Sequence, residues 1–257
     1  MKIGVVGCNG RVGTLIINEL LSGEWEAHNI ELSGGSARDT VDNSDKLFIT
    51  DSEDELFKIS DVIIDFTLPE GTRNHAKLAA EHKKTLIVGT TGLTHEDEME
   101  LRKAAEETTI IYSANMSVGV NLLLALVEQA AARLDPDWDI EIFESHHKYK
   151  VDAPSGTALA IGKAAAAGRN NSLENLADYD RHGQIGVREK GKIGFSVARG
   201  GDVVGEHTTF FYGDGERLEM THKATDRKLF AKGAIRAAIW SEGKEAGLYS
   251  MRDVLDL

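Results

Sequence analysis

Between positions 144 and 157 the chain reads Glu144-Ser145-His146-His147-Lys148-Tyr149-Lys150-Val151-Asp152-Ala153-Pro154-Ser155-Gly156-Thr157, setting two imidazoles and two ammonium groups directly before a helix start. Histidine is the side chain best suited to giving up a proton near neutral pH, and lysine supplies a fixed positive charge. Ser155-Gly156-Thr157 leads into Ala158-Leu159-Ala160-Ile161, so N–H groups at a helix start point outwards there and can bind a carboxylate or phosphate. Alone, Ser155 is as well read as an ordinary helix cap, and a histidine pair as a structural one. Their crowding around Lys150 favours a site for an anionic small molecule. Side chains i, i+2 and i+4 of a strand share a face, so His146, Lys148 and Lys150 point together if the preceding strand reaches that far, with His147 and Tyr149 opposite. The neighbouring ammonium groups lower rather than raise a histidine's pKa.

A second constellation opens the chain. Ile3-Gly4-Val5-Val6 runs into Gly7-Cys8-Asn9-Gly10-Arg11-Val12-Gly13, a strand, a glycine turn and a helix start of the dinucleotide-binding kind. A diphosphate needs converging backbone N–H groups, which side chains would block. The strict G-x-G-x-x-G has glycine where this chain has Cys8, and Asn9 tolerates the positive φ such a turn requires. By spacing alone the motif also fits a tight turn without ligand. Near the second strand the chain reads Gly35-Ser36-Ala37-Arg38, with no carboxylate until Asp39. An acidic residue there would bind the ribose of NAD; an arginine suits a 2′-phosphate, so NADPH is expected over NADH, with Arg38 and Arg11 as its partners. The other reading of Arg38 is a solvated loop charge.

These residues need elements to position them. Up to about residue 117, short β-branched runs alternate with amphipathic stretches, as in βαβ units with a parallel sheet. Strands are predicted at Lys2 to Val6, Asn29 to Leu32, Val62 to Phe66, Thr85 to Val88 and Thr109 to Tyr112. Each is followed by a loop suited to a ligand: Gly7 to Gly13, Gly34-Gly35-Ser36, Phe66-Thr67-Leu68-Pro69-Glu70-Gly71, Gly89-Thr90-Thr91-Gly92 and Ser113-Ala114-Asn115-Met116-Ser117. Ligands bind at the carboxyl ends of strands in such sheets. Val118 to Leu134 reads as a long helix, Asp139 to Phe143 as a strand and Gly156 to Ala167 as a helix. From Ile193 the pattern reads as antiparallel strands, Ile193 to Ala198, Glu206 to Tyr212 and Arg217 to His222, separated by turn compositions. A closing helix through Phe230, Ala234 and Ala238 is expected to return to the first domain. The polar stretch 169–192 has no assignable pattern. The expected class is α/β: a Rossmann-type parallel-sheet cofactor domain (residues 1–117 and 228–257) plus an α+β domain (118–227).

Bulk properties narrow the function further. With 257 residues and a formal net charge of -13, sequence-independent binding to nucleic acid or an anionic membrane is disfavoured. One cysteine allows no intrachain disulfide, no apolar stretch reaches the roughly 18 residues of a membrane span, and no targeting segment is visible, so a cytoplasmic location is expected. Nine histidines and one cysteine lack the paired spacing of a zinc site, so no metal is expected. Neither a G-x-S-x-G elbow nor a Walker A motif is present.

The chain resembles the dihydrodipicolinate reductase family over nearly its whole length. The resemblance rests on Gly7 to Gly13, Asp65-Phe66-Thr67-Leu68-Pro69-Glu70-Gly71, Gly89 to Gly92, Asn115-Met116-Ser117-Val118-Gly119-Val120-Asn121, the segment 146–157 and Gly205-Glu206-His207-Thr208. It implies hydride transfer from NAD(P)H to an unsaturated cyclic imine dicarboxylate in diaminopimelate and lysine biosynthesis, by a homotetramer assembled through an open mixed sheet of the second, substrate domain. It implies His146 as general acid with Lys150 beside it, and His147, Lys150, Ser155, Gly156 and Thr157 as substrate-binding residues. Cofactor contacts fall on Gly7 to Gly13 (Cys8, Asn9, Gly10, Arg11 and Val12 between), Arg38, Phe66, Thr67, Gly89, Thr90, Thr91, Ala114, Asn115 and Met116. Many members carry an acidic residue before the arginine after strand two; Ala37 stands here, which points away from dual cofactor use. Two alternatives remain open on the residues themselves: another two-domain amino-acid or semialdehyde dehydrogenase, and an NAD(P)H-sensing module without turnover.

Overall fold

The computed structural model describes residues 1–38 and 47–257; Asp39 lies outside them. In chain order the strands are β1 (Lys2–Val6), β2 (Glu31–Ser36), β3 (Ile49–Thr50), β4 (Val62–Asp65), β5 (Thr85–Val88), β6 (Thr109–Tyr112), β7 (Asp139–His146), β8 (Ala177–Asp178), β9 (Ile193–Arg199), β10 (Gly205–Gly213), β11 (Glu216–Ala224) and β12 (Gly247–Tyr249). The α-helices are α1 (Arg11–Leu20), α2 (Glu53–Ile59), α3 (Pro69–His82), α4 (His95–Ala104), α5 (Val118–Arg133), α6 (Gly156–Gly168), α7 (Leu173–Leu176), α8 (Lys228–Trp240) and α9 (Met251–Leu255). The chain divides into two compact units, Met1–Val118 with Arg227–Leu257, and Gly119–Asp226.

The first unit is a seven-stranded parallel sheet in the order β12-β6-β5-β4-β1-β2-β3. Its middle strands are continuous apolar runs because helices cover both faces: β4 is buried throughout, and β1 is buried at every position after Lys2. Ile3, Val5, Ile64 and Ile87 share one core cluster with Ala231, Ala234 and Ala238 of α8, so the closing helix does return to this unit. The sheet order turns about β1, with β4 on one side and β2 on the other, which is the switch point where open α/β sheets bind ligands.

The second strand corrects the sequence expectation. It runs Glu31–Ser36, not from Asn29 to Leu32, so Gly34, Gly35 and Ser36 belong to the strand and are buried rather than forming a loop. Two glycines survive in a strand here because neighbours crowd the backbone: a Cβ on Gly34 would collide with Phe48, and one on Gly35 with Cys8.

The second unit is a five-stranded mixed sheet in the order β11-β10-β7-β9-β8. Alternate residues of β7 point inwards, with Ile140, Ile142, Glu144 and His146 buried, and α5 and α6 complete the core through Leu123, Val127, Ile161 and Ala165. β10 pairs antiparallel with β7 and β11 as expected, but β9 runs parallel to both β7 and β8. The long return through α6 permits this, since parallel neighbours need a crossover. The stretch 169–192, without a pattern in sequence, is fixed by charge: Arg188 donates to Asp139 at 2.7 Å and to Glu141 at 3.0 Å, and Arg181 also grips Glu141.

Candidate active site

In the first unit the glycine turn has the shape a dinucleotide requires. Gly7 has φ +64, which favours glycine, and Gly10 donates its N–H to the Gly7 carbonyl at 2.9 Å before α1 begins. A side chain on Gly13 would run into that same carbonyl, so helix and strand approach as closely as they do only without one. No side chain caps the start of α1. Beside the turn lies a cavity of about 350 Å³ lined by Gly7, Asn9, Gly10, Ala37, Arg38, Phe66, Thr67 and Leu68, with Asp51, Glu53 and His75 also on its walls. A backbone anion cradle, an exposed arginine and a half-apolar slot fit an adenine dinucleotide.

The loop after β4 is held from below. Asp65 is wholly buried; its Oδ1 accepts Thr67 N–H and Oγ1–H, each at 2.7 Å, while Thr72 Oγ1 and His75 Nδ1 each lie 2.8 Å from Oδ2. His75 Nε2 stands 2.9 Å from Glu53. Burial works against the charged imidazole, but the two carboxylates outweigh it and lift its pKa to about 9. Asp65 is correspondingly pulled down: burial opposes its charge, and His75 and the Thr67 donors more than offset that. The Thr72 and Thr90 hydroxyl oxygens lie 2.8 Å apart. Cys8, Thr90 and Met116 are buried, whereas Asn9, Arg11, Arg38, Thr91 and Ala114 are exposed.

In the second unit the basic segment follows β7. The strand ends at His146 and the chain then turns, with Lys150 N–H donating to the His147 carbonyl at 3.1 Å. The conditional shared face of His146, Lys148 and Lys150 therefore does not form: Lys148 is exposed and reaches over the Tyr149 ring. His146 is instead tied to Glu144, two residues back on the same face. Glu144, wholly buried, accepts His146 Nδ1–H at 2.5 Å, Ser155 N–H at 2.9 Å and two N–H groups of Arg199 at 2.7 and 2.8 Å. Burial pushes the Glu144 pKa up, but Arg199, His146 and the Ser155 amide together bring it below its ordinary value. His146 moves down: burial dominates, and Lys150 and Arg199 add to it against the pull of Glu144.

Ser155 caps α6, its Oγ accepting Ala158 N–H at 3.1 Å, and the same hydroxyl shares a hydrogen bond of 3.0 Å with His207 Nε2 on β10. His207 is neutral, its pKa pushed down to about 4 by burial and then by His146, whose ring it meets edge-on at 5.0 Å. Gly156 is exposed, and a Cβ there would meet nothing within 4 Å, so the helix start opens onto free space. Lys150 Nζ pairs with Asp152 at 2.9 Å. His147 is half-buried, with its Nδ1 lacking a protein partner.

The sequence pattern assigns no role to Glu144, Arg199 or His207, although Glu144 opens the basic segment and His207 lies in a motif that carries the family resemblance. Glu144 was within reach, since it precedes His146 by one strand period; Arg199 and His207 come from strands 55 and 52 residues away from their partners. Among the described residues no group of histidine, cysteine or acidic side chains could hold a metal ion, and no helix is long and apolar enough to cross a membrane.

Comparison with known proteins matches residues 1–116 to the model described as dihydrodipicolinate reductase, N-terminus, and 119–255 to the corresponding C-terminus. The 4-hydroxy-tetrahydrodipicolinate reductase of Zymomonas mobilis subsp. mobilis is 47% identical over 257 residues, covering 100% of this chain and 98% of its own. That of Ruegeria sp. (strain TM1040) is 43% identical over 270 residues, covering 99% and 98%. Among solved structures, a dipicolinate-bound dihydrodipicolinate reductase from Paenisporosarcina sp. TG-14 superposes with a TM-score of 0.80 at 23% identity, covering 97% of each chain.

Proposed function

The chain belongs to the dihydrodipicolinate reductase family and is an NAD(P)H-dependent oxidoreductase reducing a cyclic unsaturated imine dicarboxylate to tetrahydrodipicolinate; from that premise we propose how its residues divide the work. When bound, the nicotinamide supplies the hydride. The Gly7 to Gly13 turn holds the diphosphate through its backbone, the Phe66–Thr67 and Gly89–Thr91 loops with Ala114 and Asn115 border the cofactor, and Arg38 takes the 2′-phosphate of the preferred NADPH.

The dianionic substrate is clamped at both ends. Ser155, Gly156 and Thr157 bind one carboxylate at the start of α6, and Lys150 with His147 binds the other, which requires Lys150 to leave Asp152. Clamping fixes the ring for hydride arrival, and His146 quenches the resulting electron density with a proton. The observation that carries this reading is that Glu144 receives both Ser155 N–H and His146 Nδ1–H, so one carboxylate registers the anion cradle against the proton donor.

The test is NADPH oxidation by the purified chain on addition of the imine dicarboxylate. Rapid oxidation supports the reading; NADPH binding without turnover would leave only a sensing module. We further propose a cytoplasmic homotetramer assembled on the outer face of the mixed sheet, where Phe143 is exposed and the rings of Phe210 and Tyr212 stack. Sedimentation should show four copies, and Phe143→Lys should yield smaller species; a monomeric parent would remove this part.

A further inference from the structure

The protonation state of His146 is set by groups from several directions. Glu144 is acceptor-only when ionised, so the single proton of a neutral His146 imidazole must sit on Nδ1, and Nε2 carries a lone pair. In that form Nε2 has nothing to donate. A general acid built this way needs a second proton before it can act.

The surrounding charges decide when that proton arrives. On β7 itself, Glu144 favours the imidazolium. From β9, Arg199 opposes it and takes up much of the Glu144 charge through two hydrogen bonds. From the loop after β7, Lys150 also opposes it, with Asp152 partly offsetting Lys150. From β10, His207 contributes a neutral ring. The free protein therefore holds His146 below its ordinary pKa, with burial as the main cause. A dicarboxylate bound between Lys150 and the start of α6 places two negative charges beside Lys150 and Ser155, and so reverses the local balance.

We propose that dicarboxylate binding draws one proton from solvent onto His146 Nε2, with Glu144 as the positioning residue that makes Nε2 the receiving atom. This inference rests on the functional reading above. The balance is simple: an N–H bond forms at Nε2 at the expense of a solvent acid. During turnover that bond breaks as the proton passes to the ring alongside the hydride, returning the imidazole to its neutral Nδ1–H form. An unreactive dicarboxylate leaves the proton on the histidine.

The experiment is titration calorimetry of the full-length enzyme with NADPH present and pyridine-2,6-dicarboxylate as the probe, in buffers of different ionisation heat. The parent should take up about one proton per site near neutral pH, with affinity rising as pH falls through the histidine range. Glu144→Gln and His146→Gln should each bind with most of that uptake lost. Because Glu144 is buried and its variant can fail to fold, the parent decides alone: binding heat independent of buffer, with affinity flat between about pH 6.5 and 8.5, overturns the inference while leaving the dicarboxylate site standing. No binding at all removes the functional reading, and the inference with it.

Discussion

Two carboxylate–histidine pairs, Asp65–His75 in the first unit and Glu144–His146 in the second, begin from the same chemistry and arrive at opposite charge states. In both, the histidine is buried and its Nδ1 faces a wholly buried carboxylate, at 2.8 and 2.5 Å. His75 meets a second carboxylate, Glu53, on its other nitrogen and stays charged to about pH 9. His146 is pushed below the ordinary histidine value first by burial and then by Lys150 and by Arg199, which also shares its carboxylate. A carboxylate partner therefore orients a histidine, while the remaining charges decide whether it holds its proton. His75 is suited to holding a loop in place, and His146 to exchanging a proton.

The sharpest way to break this comparison is to remove each imidazole. His146→Gln is expected to lower turnover by roughly 10²–10⁴-fold and to flatten the pH–rate profile, as loss of a general acid does. An unaltered profile would make His146 a second His75. His75→Leu should act on stability instead, leaving the buried Asp65 without its charged partner at a cost of about 3–5 kcal/mol in denaturant unfolding. The parent's pH dependence follows from the same charge. Because the folded pKa of His75 is raised, its contribution is complete below about pH 6.5 and disappears as pH rises to about 9, an expected loss of about 3 kcal/mol. A flat stability curve over that range would show that His75 is not charged.

The smallest expected effect separates the backbone-built cofactor site from the side-chain-built substrate site. Arg38→Ala should raise KM for NADPH by roughly ten- to a hundredfold, the value of a charge-assisted hydrogen bond, and leave NADH almost unchanged. Equal losses with both cofactors would place Arg38 away from the 2′-phosphate.

The same contrast explains what the sequence could reveal. Thr85–Val88 and Thr109–Tyr112 are legible as strands because a parallel sheet buried on both faces demands apolar runs, and the glycine turn is legible because only glycine permits its backbone approach. The second strand is displaced because Gly34 and Gly35 read as a loop when Phe48 and Cys8, which require them, are not yet in place. β3, β8 and β12 are two or three residues long and have no period to detect. In the substrate half, residue types announced His146, Lys150 and Ser155, but their wiring runs through Glu144 to Arg199 and through Ser155 to His207, contacts between distant strands that linear spacing does not encode.

The central claim is that the second unit supplies the substrate's anion site and the first supplies the cofactor's. Lys150→Met tests it most directly, with NADPH affinity and turnover measured on one preparation. Turnover should collapse while the NADPH dissociation constant stays within error of the parent's. Undiminished turnover, or a matching loss of NADPH affinity, would contradict the account.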